Sequence, residues 1–369
     1  MTYKTEKIII KIGTASLEAN KGINTEIVKK LSAVIANLKE SGHKIVLVTS
    51  GAIALGLQKL QIKKKPKTIL GKQVAASVGQ ARLMHVYEKC FSKHKITIAQ
   101  ILLTRDGFAQ REIYINTRET LLELLKTGVL PIINENDAVS SEEIRFSDND
   151  MLSALVADLI SADRLIILTD EKGLYDSNPK ENKNAKLIPI VEKITSQIEN
   201  MASGKGNELS LGGMTTKLQA AKLAICSGIK THIVYGKEPE QIVDIVENKQ
   251  VGTTFLPSTN KIEKRKSWIA HSLFSSGKVF VDSGAQKALV SNGKSLLPAG
   301  IKKISGKFNR GSAIDICLVD TNKPFAKGLT NYSSDELVRI VGKKSSDIEK
   351  TLGYTYGETV IHRDDMVVP

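Results

Sequence analysis

Short apolar runs followed by turns of small residues recur through the first 255 residues of the chain. Lys7–Ile12 reads KIIIKI and Lys44–Thr49 reads KIVLVT, and the turns after them contain Gly13 and Gly51. Runs of this length and composition are typical of strands buried on both faces. Apolar residues at helical spacing separate the runs. The alternation predicts an α/β fold, a three-layer αβα sandwich around a mainly parallel sheet.

Individual elements follow from the same patterns. The predicted strands are Lys7–Ile12, Lys44–Thr49, Ile96–Leu103, Leu130–Ile133, Leu165–Thr169 and Thr231–Tyr235. The predicted helices cover residues 27–38, 71–94, 117–127, the residues that follow Asp150, and 214–227.

The pattern changes after about Phe255, where the regular alternation ends. Short strand patterns separated by glycines follow, with one amphipathic helix. We therefore expect a first domain at residues 1–256, a linker at 257–275 and a small, mostly β domain at 276–369. The elements expected in the second domain are the strands Lys278–Val281, Ala313–Val319, Phe325–Gly328 and Thr359–Ile361 and the helix Ser334–Ile340.

Composition excludes several classes of protein. The 369 residues, 41% of them hydrophobic, suffice for a large core, but no apolar run approaches the length of about eighteen residues that spans a membrane. The N-terminus lacks the layout of a signal peptide, so we expect a cytoplasmic protein without a membrane anchor. Cys90, Cys226 and Cys317 are far apart and form no CxxC pair, which predicts buried hydrophobes and no zinc or redox site.

The net charge of +14 raises the question of nucleic-acid binding. Residues 271–369 carry +4 and the other 270 residues carry +10, so the two parts are about equally basic per residue. Such an even spread is more typical of a solvated surface than of an RNA-binding face, and it also attracts anionic substrates.

Three glycine turns open helices, and two of them lie close to a lysine. Gly13 follows Lys11, Gly51 follows the second strand, and Gly213 precedes Lys217. Backbone N–H groups at such turns, with the positive helix end behind them, bind phosphate oxygens. The chain has no GxxxxGK[ST] P-loop, no HRD or DFG motif and no GxGxxG motif. The turns therefore predict phosphoryl transfer on another kind of fold.

Polar residues between Pro131 and Pro179 are expected to bind the substrate. Asn134 and Asp137 follow an apolar strand, and Asn149 and Asp150 stand at the start of a helix. Strand ends and helix starts supply the ligand contacts in open α/β sheets. The alternative is that the aspartates at 148 and 150 only cap the helix.

The six histidines lie outside the glycine turns and outside the polar stretch from Pro131 to Pro179. A hydroxyl acceptor would usually need such a base, whereas a carboxylate arrives already deprotonated. For a carboxylate acceptor the obstacle is the repulsion between two anions, so cations must spread the charge on the transferred phosphoryl group. The pattern therefore favours a carboxylate acceptor.

Six segments of the first domain and two of the tail form a distinctive set. They are KIGTASL (11–17), VTSGAIALG (48–56), INENDAV (133–139), DNDMLSALVA (148–157), ADRLIILTDEKGLYDSNP (162–179), GGMTTKLQAAKLA (212–224), SLLPAGI (295–301) and GYTYGETVIHRDDMV (353–367). The first six resemble the amino acid kinase family, and their order and spacing are similar to those of its glutamate 5-kinase branch. The last two resemble the PUA domain of many bacterial members. Ser210-Leu211 and Ser147 depart from the family's GTGGM and FGDND patterns.

The resemblance implies a role for each predicted site residue. The catalytic residues would be Lys11, Lys217 and Asp150, with Asp150 orienting both lysines. Asp137 would bind the ammonium of glutamate, and Ser50 and Asn149 its carboxylate oxygens. The substrate-binding set is Ser50, Asn134, Asp137 and Asn149. The ATP-binding set is Lys11, Gly13, Thr169, Asp170, Leu211, Gly212, Gly213, Met214, Thr215, Thr216 and Lys217.

The resemblance also implies a reaction and its partners. ATP would phosphorylate the side-chain carboxylate of L-glutamate to L-glutamyl 5-phosphate in the first step of proline biosynthesis. Mg²⁺ would be bound by ATP phosphates and water, with no protein ligand to the metal. L-Proline is expected as a feedback inhibitor sensed by residues 140–145. We also expect a homo-oligomer, a dimer or a tetramer, and delivery of the product to glutamate-5-semialdehyde dehydrogenase (glutamyl phosphate reductase).

Two alternatives remain open at this point. A sister amino acid kinase would phosphorylate another acceptor. An RNA-binding regulatory protein would act through the PUA domain, whose basic cluster is Lys302, Lys303, Lys307 and Arg310. Few aromatic residues interleave with that cluster in the sequence, so RNA binding is not expected.

Overall fold

The computed structural model describes residues 5–19, 22–64, 66–104, 108, 111–140, 149–203, 213–257, 275–319, 321 and 323–368. The chain divides into two compact units, Met1–Ser258 and Thr259–Pro369. The linker expected at residues 257–275 lies almost entirely outside the described residues, so the domain limits stay a prediction. Within the described ranges, every helix is too short or too polar to cross a membrane.

The first unit alternates strands and helices along its length. Its strands are β1 (Lys7–Ile12), β2 (Glu18–Ala19), β3 (Gly22–Ile23), β4 (Lys44–Thr49), β5 (Ile98–Leu103), β6 (Leu130–Glu135), β7 (Arg164–Thr169), β8 (Ile190–Val191), β9 (Lys230–Tyr235) and β10 (Thr253–Phe255). Its helices are α1 (Thr14–Leu17), α2 (Thr25–Glu40), α3 (Ala52–Lys59), α4 (Ile69–Phe91), α5 (Arg111–Lys126), α6 (Asn149–Leu159), α7 (Ser196–Ser203), α8 (Met214–Cys226) and α9 (Gln241–Val246).

These strands form one large sheet, apart from the small β2–β3 hairpin. The strand order is β5-β6-β4-β1-β7-β9-β10-β8, and the first six strands in that order are parallel to one another. The predicted parallel sheet is therefore confirmed. β10 runs antiparallel to β9 and pairs with β8, so one edge is mixed. The sequence does not predict these two strands, because two or three residues are too few to show a period.

Side chains of β1 alternate between two helical layers. Ile8, Ile10 and Ile12 are buried in the core formed with α2, α4 and α9. Ile9 and Lys11 point to the other face, where α6 packs against β1. Helices on both faces confirm the three-layer sandwich. The same alternation places one lysine, Lys11, in the interior near the end of the central strand.

Predicted helices form close to their expected limits. α8 ends at Cys226, and Gly228 follows with a φ of 84°, the left-handed conformation that commonly ends a helix. α4 begins at Ile69 and continues as a short 3-10 turn to His94. α5 differs most, since it begins at Arg111 and not at residue 117. Its first turns have three consecutive apolar residues, 113–115, followed by five polar ones, so they show no helical period.

Helices α3 and α4 pack closely because each contributes a glycine to the contact. A Cβ atom on Gly56 would overlap the carbonyl oxygen of Ala75, and one on Gly79 would overlap that of Ala52. Both obstacles are backbone atoms, so a larger side chain cannot be accommodated by a rotamer change. α3 itself begins after Gly51, whose φ of 104° favours glycine. Helix α4 is therefore fixed against the turn that follows β4.

A buried arginine closes the end of the sheet where β7 begins. Arg164 donates to Glu6 through two bonds of 2.9 and 3.0 Å and to the carbonyl oxygen of Ile245 at 2.8 Å. It also donates to His232 Nε2 at 3.2 Å and to Asn248 Oδ1 at 3.4 Å. The five N–H groups of the guanidinium therefore all have acceptors.

His232 is held in its neutral form by this arginine. Arginine has no acceptor, so Nε2 of His232 must accept and the proton lies on Nδ1, which donates to Thr254 Oγ1 at 3.1 Å. Burial, together with the charges of Arg164 and Lys230, lowers the pKa of His232 to about 3. Protonation would place a second cation beside Arg164.

The second unit has its own sheet and core. Its strands are β11 (Lys278–Val281), β12 (Ile301–Ser305), β13 (Ala313–Leu318), β14 (Pro324–Leu329) and β15 (Met366–Val367), in the order β12-β11-β13-β14-β15. Its helices are α10 (Ser283–Val290), α11 (Ser334–Ile340) and α12 (Ile348–Leu352). The mostly β character of this unit is as predicted.

One predicted strand of the second unit is wrong, and two observed strands, β12 and β15, are not predicted. Residues 359–361 form no strand; Ile361 makes an isolated bridge to Leu296, and β15 pairs with β14 instead. β12 contains two of the lysines assigned to a basic cluster. Lys302 forms an ion pair with Asp282 at 3.1 Å, and Lys303 lies 5.4 Å from the centre of the Phe280 ring. Pairing within the sheet therefore accounts for two members of that cluster.

The cysteines are free thiols in three different elements. Cys90 and Cys317 are buried, as predicted, and burial raises the pKa of both thiols. Cys226 is only partly buried, which contradicts the prediction, because it stands in the last turn of α8.

We predict that Gly79→Ala destabilises the first unit by about 1–3 kcal/mol, because its Cβ would push against the backbone of Ala52. Urea unfolding monitored by circular dichroism measures the change. Ser77→Ala is the matched control, since Ser77 is exposed on the same helix and its hydroxyl bonds, among the described residues, to the carbonyl of Gln73 alone. Equal stability of Gly79→Ala and the wild type would contradict the close contact.

We predict that stability falls on acidification through His232. Below about pH 6.5 the unfolded state binds a proton at this residue, whereas the folded state does so only near pH 3. The free energy of unfolding should therefore decrease between these values by at most about 1.4 kcal/mol per pH unit from this group. His232→Gln should flatten that slope in urea titrations at pH 7, 6 and 5. The exposed His94→Gln should retain the wild-type slope.

Candidate active site

The predicted site residues lie at one edge of the parallel sheet. β6, β4, β1 and β7 are neighbours in that order, and their carboxyl ends meet at this edge. Asn134 belongs to β6, Ser50 follows β4, Lys11 is near the end of β1, and Thr169 ends β7. The strand order therefore separates the expected amino-acid side, at β6 and β4, from the expected nucleotide side, at β7. Lys11 lies between them.

Three charged side chains meet in the interior at Lys11. The Asp150 carboxylate contacts the Lys11 ammonium through Oδ1 and the Lys217 ammonium through Oδ2, the second at 3.1 Å. Thr216 Oγ1 also donates to Asp150 Oδ2 at 3.0 Å. Asp150 is fully buried, and the two lysines are 2% and 6% exposed. The structure thus brings together the catalytic residues predicted from distant segments.

The two lysines keep the buried carboxylate ionised. Burial alone would raise the pKa of Asp150, but the charges and hydrogen bonds of Lys11 and Lys217 outweigh it and hold the pKa below its ordinary value. Two ammonium groups and one carboxylate leave a net charge of +1. Such a centre can stabilise additional negative charge, as phosphoryl transfer requires.

Helix starts position this charged centre. Asp150 lies in the first turn of α6 and Lys217 in the first turn of α8, which begins after Gly213. Thr216 Oγ1 donates to the carbonyl oxygen of Gly213 at 2.9 Å as well, which ties that turn together. A Cβ on Gly13 would lie 3.2 Å from the Lys11 ammonium, so glycine keeps the space beside that group open. The N-termini of α6 and α8 therefore lie beside the two lysines, and the glycine at 13 leaves space next to Lys11.

A group of amides forms the other half of the site. The two hydrogens of Asn149 Nδ2 are shared among three acceptors, the carbonyl oxygen of Thr49 at 2.6 Å, Asn134 Oδ1 at 2.8 Å and Ser50 Oγ at 3.0 Å. Asn134 Oδ1 accepts from the N–H of Glu135 as well, at 2.9 Å. The end of β6, the end of β4 and the start of α6 are thus joined by hydrogen bonds between neutral groups.

This arrangement changes the expected chemistry of Asn149. Both hydrogens of its amide are directed at protein acceptors, so it cannot donate to a carboxylate as the resemblance implies. No described residue donates a hydrogen bond to Oδ1 of Asn149. This oxygen can therefore accept from an N–H group of a ligand. Ser50, by contrast, accepts from Asn149, and no described residue accepts its hydroxyl hydrogen. Ser50 can therefore donate to a carboxylate.

Asp137 lies just beyond the end of β6. It stands in a turn in which the N–H groups of Val139 and Ser140 donate to the carbonyl of Asn136 at 3.2 Å. Its side chain is partly exposed at the edge that also presents Ser50. A carboxylate there can bind an ammonium group.

The side of the site that is expected to bind the nucleotide consists of β7 and the start of α8. Thr169 is buried and donates to Asp170 Oδ1 at 3.1 Å. Burial opposes ionisation of Asp170, but this hydroxyl, a backbone N–H and the charge of Lys180 hold the pKa of the carboxyl below its ordinary value. Gly213, Met214 and Thr215 are partly buried at the start of α8. Leu211, Gly212, Ser147, Asp148 and the loop residues 141–145 lie outside the described residues.

Several contributors to the site are absent from the sequence prediction. The carbonyl oxygen of Thr49 is the shortest contact of Asn149, and Gln80 accepts from Asn134 Nδ2 at 2.8 Å. A backbone carbonyl leaves no signal in a sequence. Gln80 does leave one, since it is a polar residue among the buried residues of a long helix, but its partner is chosen only by the fold.

Two family models match the chain. The amino acid kinase family model matches residues 6–235, and the PUA domain model matches residues 277–352. The chain is 46% identical to a glutamate 5-kinase of Geobacter sulfurreducens, over 99% of this chain and 98% of the relative. It is 48% identical to a glutamate 5-kinase of Caldanaerobacter subterraneus subsp. tengcongensis, over 98% and 97%.

A solved structure supports the fold. The carbamate kinase of Giardia lamblia bound to AMP-PNP aligns with a TM-score of 0.50 at 16% identity, over 70% of this chain and all of that one. At this identity the likeness concerns the fold alone, whereas the full-length relatives define the branch. The chain belongs to the amino acid kinase family, in its glutamate 5-kinase branch, and has a C-terminal PUA domain.

Proposed function

We propose that this chain is an ATP-dependent kinase that phosphorylates the side-chain carboxylate of L-glutamate, the first step of proline biosynthesis. Full-length relatives at 46% and 48% identity are named glutamate 5-kinase. The observation that supports the chemistry is the pair of buried ammonium groups on Asp150, placed between a neutral amide group and a nucleotide side. The products are L-glutamyl 5-phosphate and ADP.

The reaction needs charge stabilisation more than proton transfer. One carboxylate oxygen of glutamate forms a bond to the γ-phosphorus of ATP, and the bond from that phosphorus to the β,γ-bridging oxygen breaks. ADP leaves with the electron pair, and no proton has to be removed from the acceptor. Negative charge spreads over the transferred phosphoryl oxygens and the leaving oxygen. We propose that Lys11 and Lys217 stabilise that charge and that Asp150 keeps both in position.

The amino-acid side matches the charges of glutamate. We propose that Asp137 and Oδ1 of Asn149 bind the ammonium, since both are acceptors, and that Ser50 donates to a carboxylate oxygen. Asn134 orients Asn149 through its Oδ1 atom. On the other side, Gly13, Thr169, Asp170 and the residues from 211 to Lys217 are proposed to bind ATP.

An ATP-dependent kinase requires a divalent metal ion, and we propose Mg²⁺. Mg²⁺ retains several waters and commonly binds through substrate phosphates, so it would enter with ATP and neutralise phosphate charge. Asp150 does not fit a ligand role, because its two oxygens are engaged by Lys11, Lys217 and Thr216. No group of three metal-ligating side chains occurs in the part of the chain that the structure describes.

Further features of the proposal follow from the branch. We propose cytoplasmic localisation, a homo-oligomer, feedback inhibition by L-proline near residues 140–145, and consumption of the product by glutamate-5-semialdehyde dehydrogenase. The last is chemically reasonable, since an acyl phosphate is reactive and is best consumed directly. We assign no RNA-binding role to the PUA domain.

Trapping of the acyl phosphate tests the activity. With ATP, Mg²⁺ and hydroxylamine, the wild-type chain should form γ-glutamyl hydroxamate from L-glutamate. Aspartate, N-acetylglutamate, carbamate and UMP serve as competing acceptors in parallel reactions, with ADP release as the common readout. Faster turnover of any of these acceptors than of glutamate would refute the assignment.

We predict that Lys217→Met lowers kcat by about 10²–10³-fold while the KM for glutamate changes less than about threefold, because the lost charge acts mainly on the transition state. Lys222→Met is the matched control, since Lys222 lies on the same helix but pairs with Glu199 at 2.6 Å. The control should retain wild-type kinetics. A large rise in the KM for glutamate with kcat unchanged would remove Lys217 from the phosphoryl site.

A further inference from the structure

Three polar residues at heptad spacing form one stripe on helix α4. Gln73, Gln80 and Tyr87 are seven residues apart, so they lie almost in line along a helix with 3.6 residues per turn. Each makes a hydrogen bond to a segment at the amino-acid side of the candidate site. We name these three residues the α4 stripe.

The contacts of the α4 stripe follow the edge of the sheet. Gln73 Nε2 donates to the carbonyl oxygen of Ser140 at 3.2 Å, and Gln80 Oε1 accepts from Asn134 Nδ2 at 2.8 Å. The two glutamines therefore hold the segment 134–140 at both of its ends, with Asp137 between them. One helix face thus fixes the strand end and the turn that present the expected ammonium-binding carboxylate.

Tyr87 extends the stripe to the neighbouring strand. Its hydroxyl lies 2.6 Å from Thr49 Oγ1, and both side chains are fully buried. Thr49 Oγ1 also donates to the carbonyl oxygen of Ser50 at 3.2 Å, so the tyrosine hydroxyl donates to Thr49. Burial raises the pKa of Tyr87 and keeps this donor protonated. The backbone oxygen that receives Asn149 is on the same threonine.

Four side-chain amides form a chain of hydrogen bonds in which each amide donates to the next. Asn149 Nδ2 donates to Asn134 Oδ1, Asn134 Nδ2 donates to Gln80 Oε1, and Gln80 Nε2 donates to Gln100 Oε1 at 3.2 Å. Each amide fixes the orientation of the one before it, and aligned hydrogen bonds strengthen one another. The path ends at exposed Gln100 and begins at Asn149. Loss of Gln80 would free Asn134 to rotate, and Asn149 with it.

Helix α4 is rigid enough to act as a reference for these contacts. Reciprocal glycine contacts lock it against α3, which begins at the turn after Ser50. Both sides of the amino-acid half, the Ser50 turn and the segment 134–140, are therefore positioned by the same helix.

We propose that the α4 stripe, through Gln80 above all, positions the residues that bind the amino-acid substrate. The inference rests on the proposed function, because it concerns the acceptor of that reaction. Gln80 touches no reacting atom in this scheme and acts through Asn134 and Asn149. Its loss should weaken binding of the acceptor and leave the nucleotide side unchanged, since Lys217 and Thr169 make no contact with the stripe among the described residues.

Steady-state kinetics of four variants test this role. Gln80→Leu removes the acceptor for Asn134 at nearly constant volume, and the KM for glutamate should rise about tenfold. The KM for ATP and the melting temperature should stay close to wild type. Gln80→Glu should rescue the KM to within about threefold of wild type, because a carboxylate oxygen accepts from Asn134 and exposed Gln100 can rotate to donate. Tyr87→Phe keeps the packing and should raise the KM for glutamate by a smaller factor.

Ser77→Ala is the control within the same helix, and it should leave both KM values unchanged. An unchanged KM for glutamate in Gln80→Leu would overturn the proposal. So would equal rises in both KM values together with a lower melting temperature, which would indicate a structural role. Failure of the wild type to phosphorylate glutamate would refute the proposed function alone, and the stripe would then be judged by the KM of the acceptor that the wild type does use.

Discussion

The buried carboxylate of Asp150 is the interaction on which the first unit's site depends. It joins strand β1 to the starts of helices α6 and α8, which are distant in the sequence, through Lys11 and Lys217. Breaking a buried ion pair leaves an uncompensated charge and typically costs about 3–5 kcal/mol. The ion pairs therefore fix the positions of β1, α6 and α8 relative to one another. The two ammonium groups can attract an anion that enters between the helix starts.

The amino-acid half of the site is neutral in most of its contacts, and this complements the charged half. Glutamate contains both signs of charge, and extra charged residues near it would compete with the lysines for the phosphoryl group. Amide and hydroxyl groups can position a substrate without adding a net charge near the lysines. Asn134, Asn149 and Ser50 supply donors and acceptors in this way. Asp137 is the exception, and its charge is matched by the substrate's ammonium in the proposed complex.

Much of the fold could be predicted, because buried strands and helix starts leave local patterns. Lys11 is conspicuous within an isoleucine-rich strand, and Asp150 stands at the start of a clear helical period. Residues whose role depends on a distant partner could not be predicted in this way. In the sequence, Gln80 is only a polar residue within a helix. Its contact with Asn134 is visible only in the folded structure. The strand expected at residues 359–361 has a suitable composition, yet β14 pairs with Met366–Val367, because strand pairing is decided by the whole sheet.

Hydrogen-bond saturation separates the two polar ends of the sheet. At the start of β7, every N–H group of Arg164 has a protein acceptor, so that network has nothing left to offer a ligand. At the carboxyl ends, Asn149 retains an acceptor and Ser50 a donor that no described residue uses. Buried polar groups in folded proteins are normally satisfied. Of these two ends, the one where the two lysines converge therefore has open hydrogen-bonding capacity, and the end around Arg164 stabilises the same central strands.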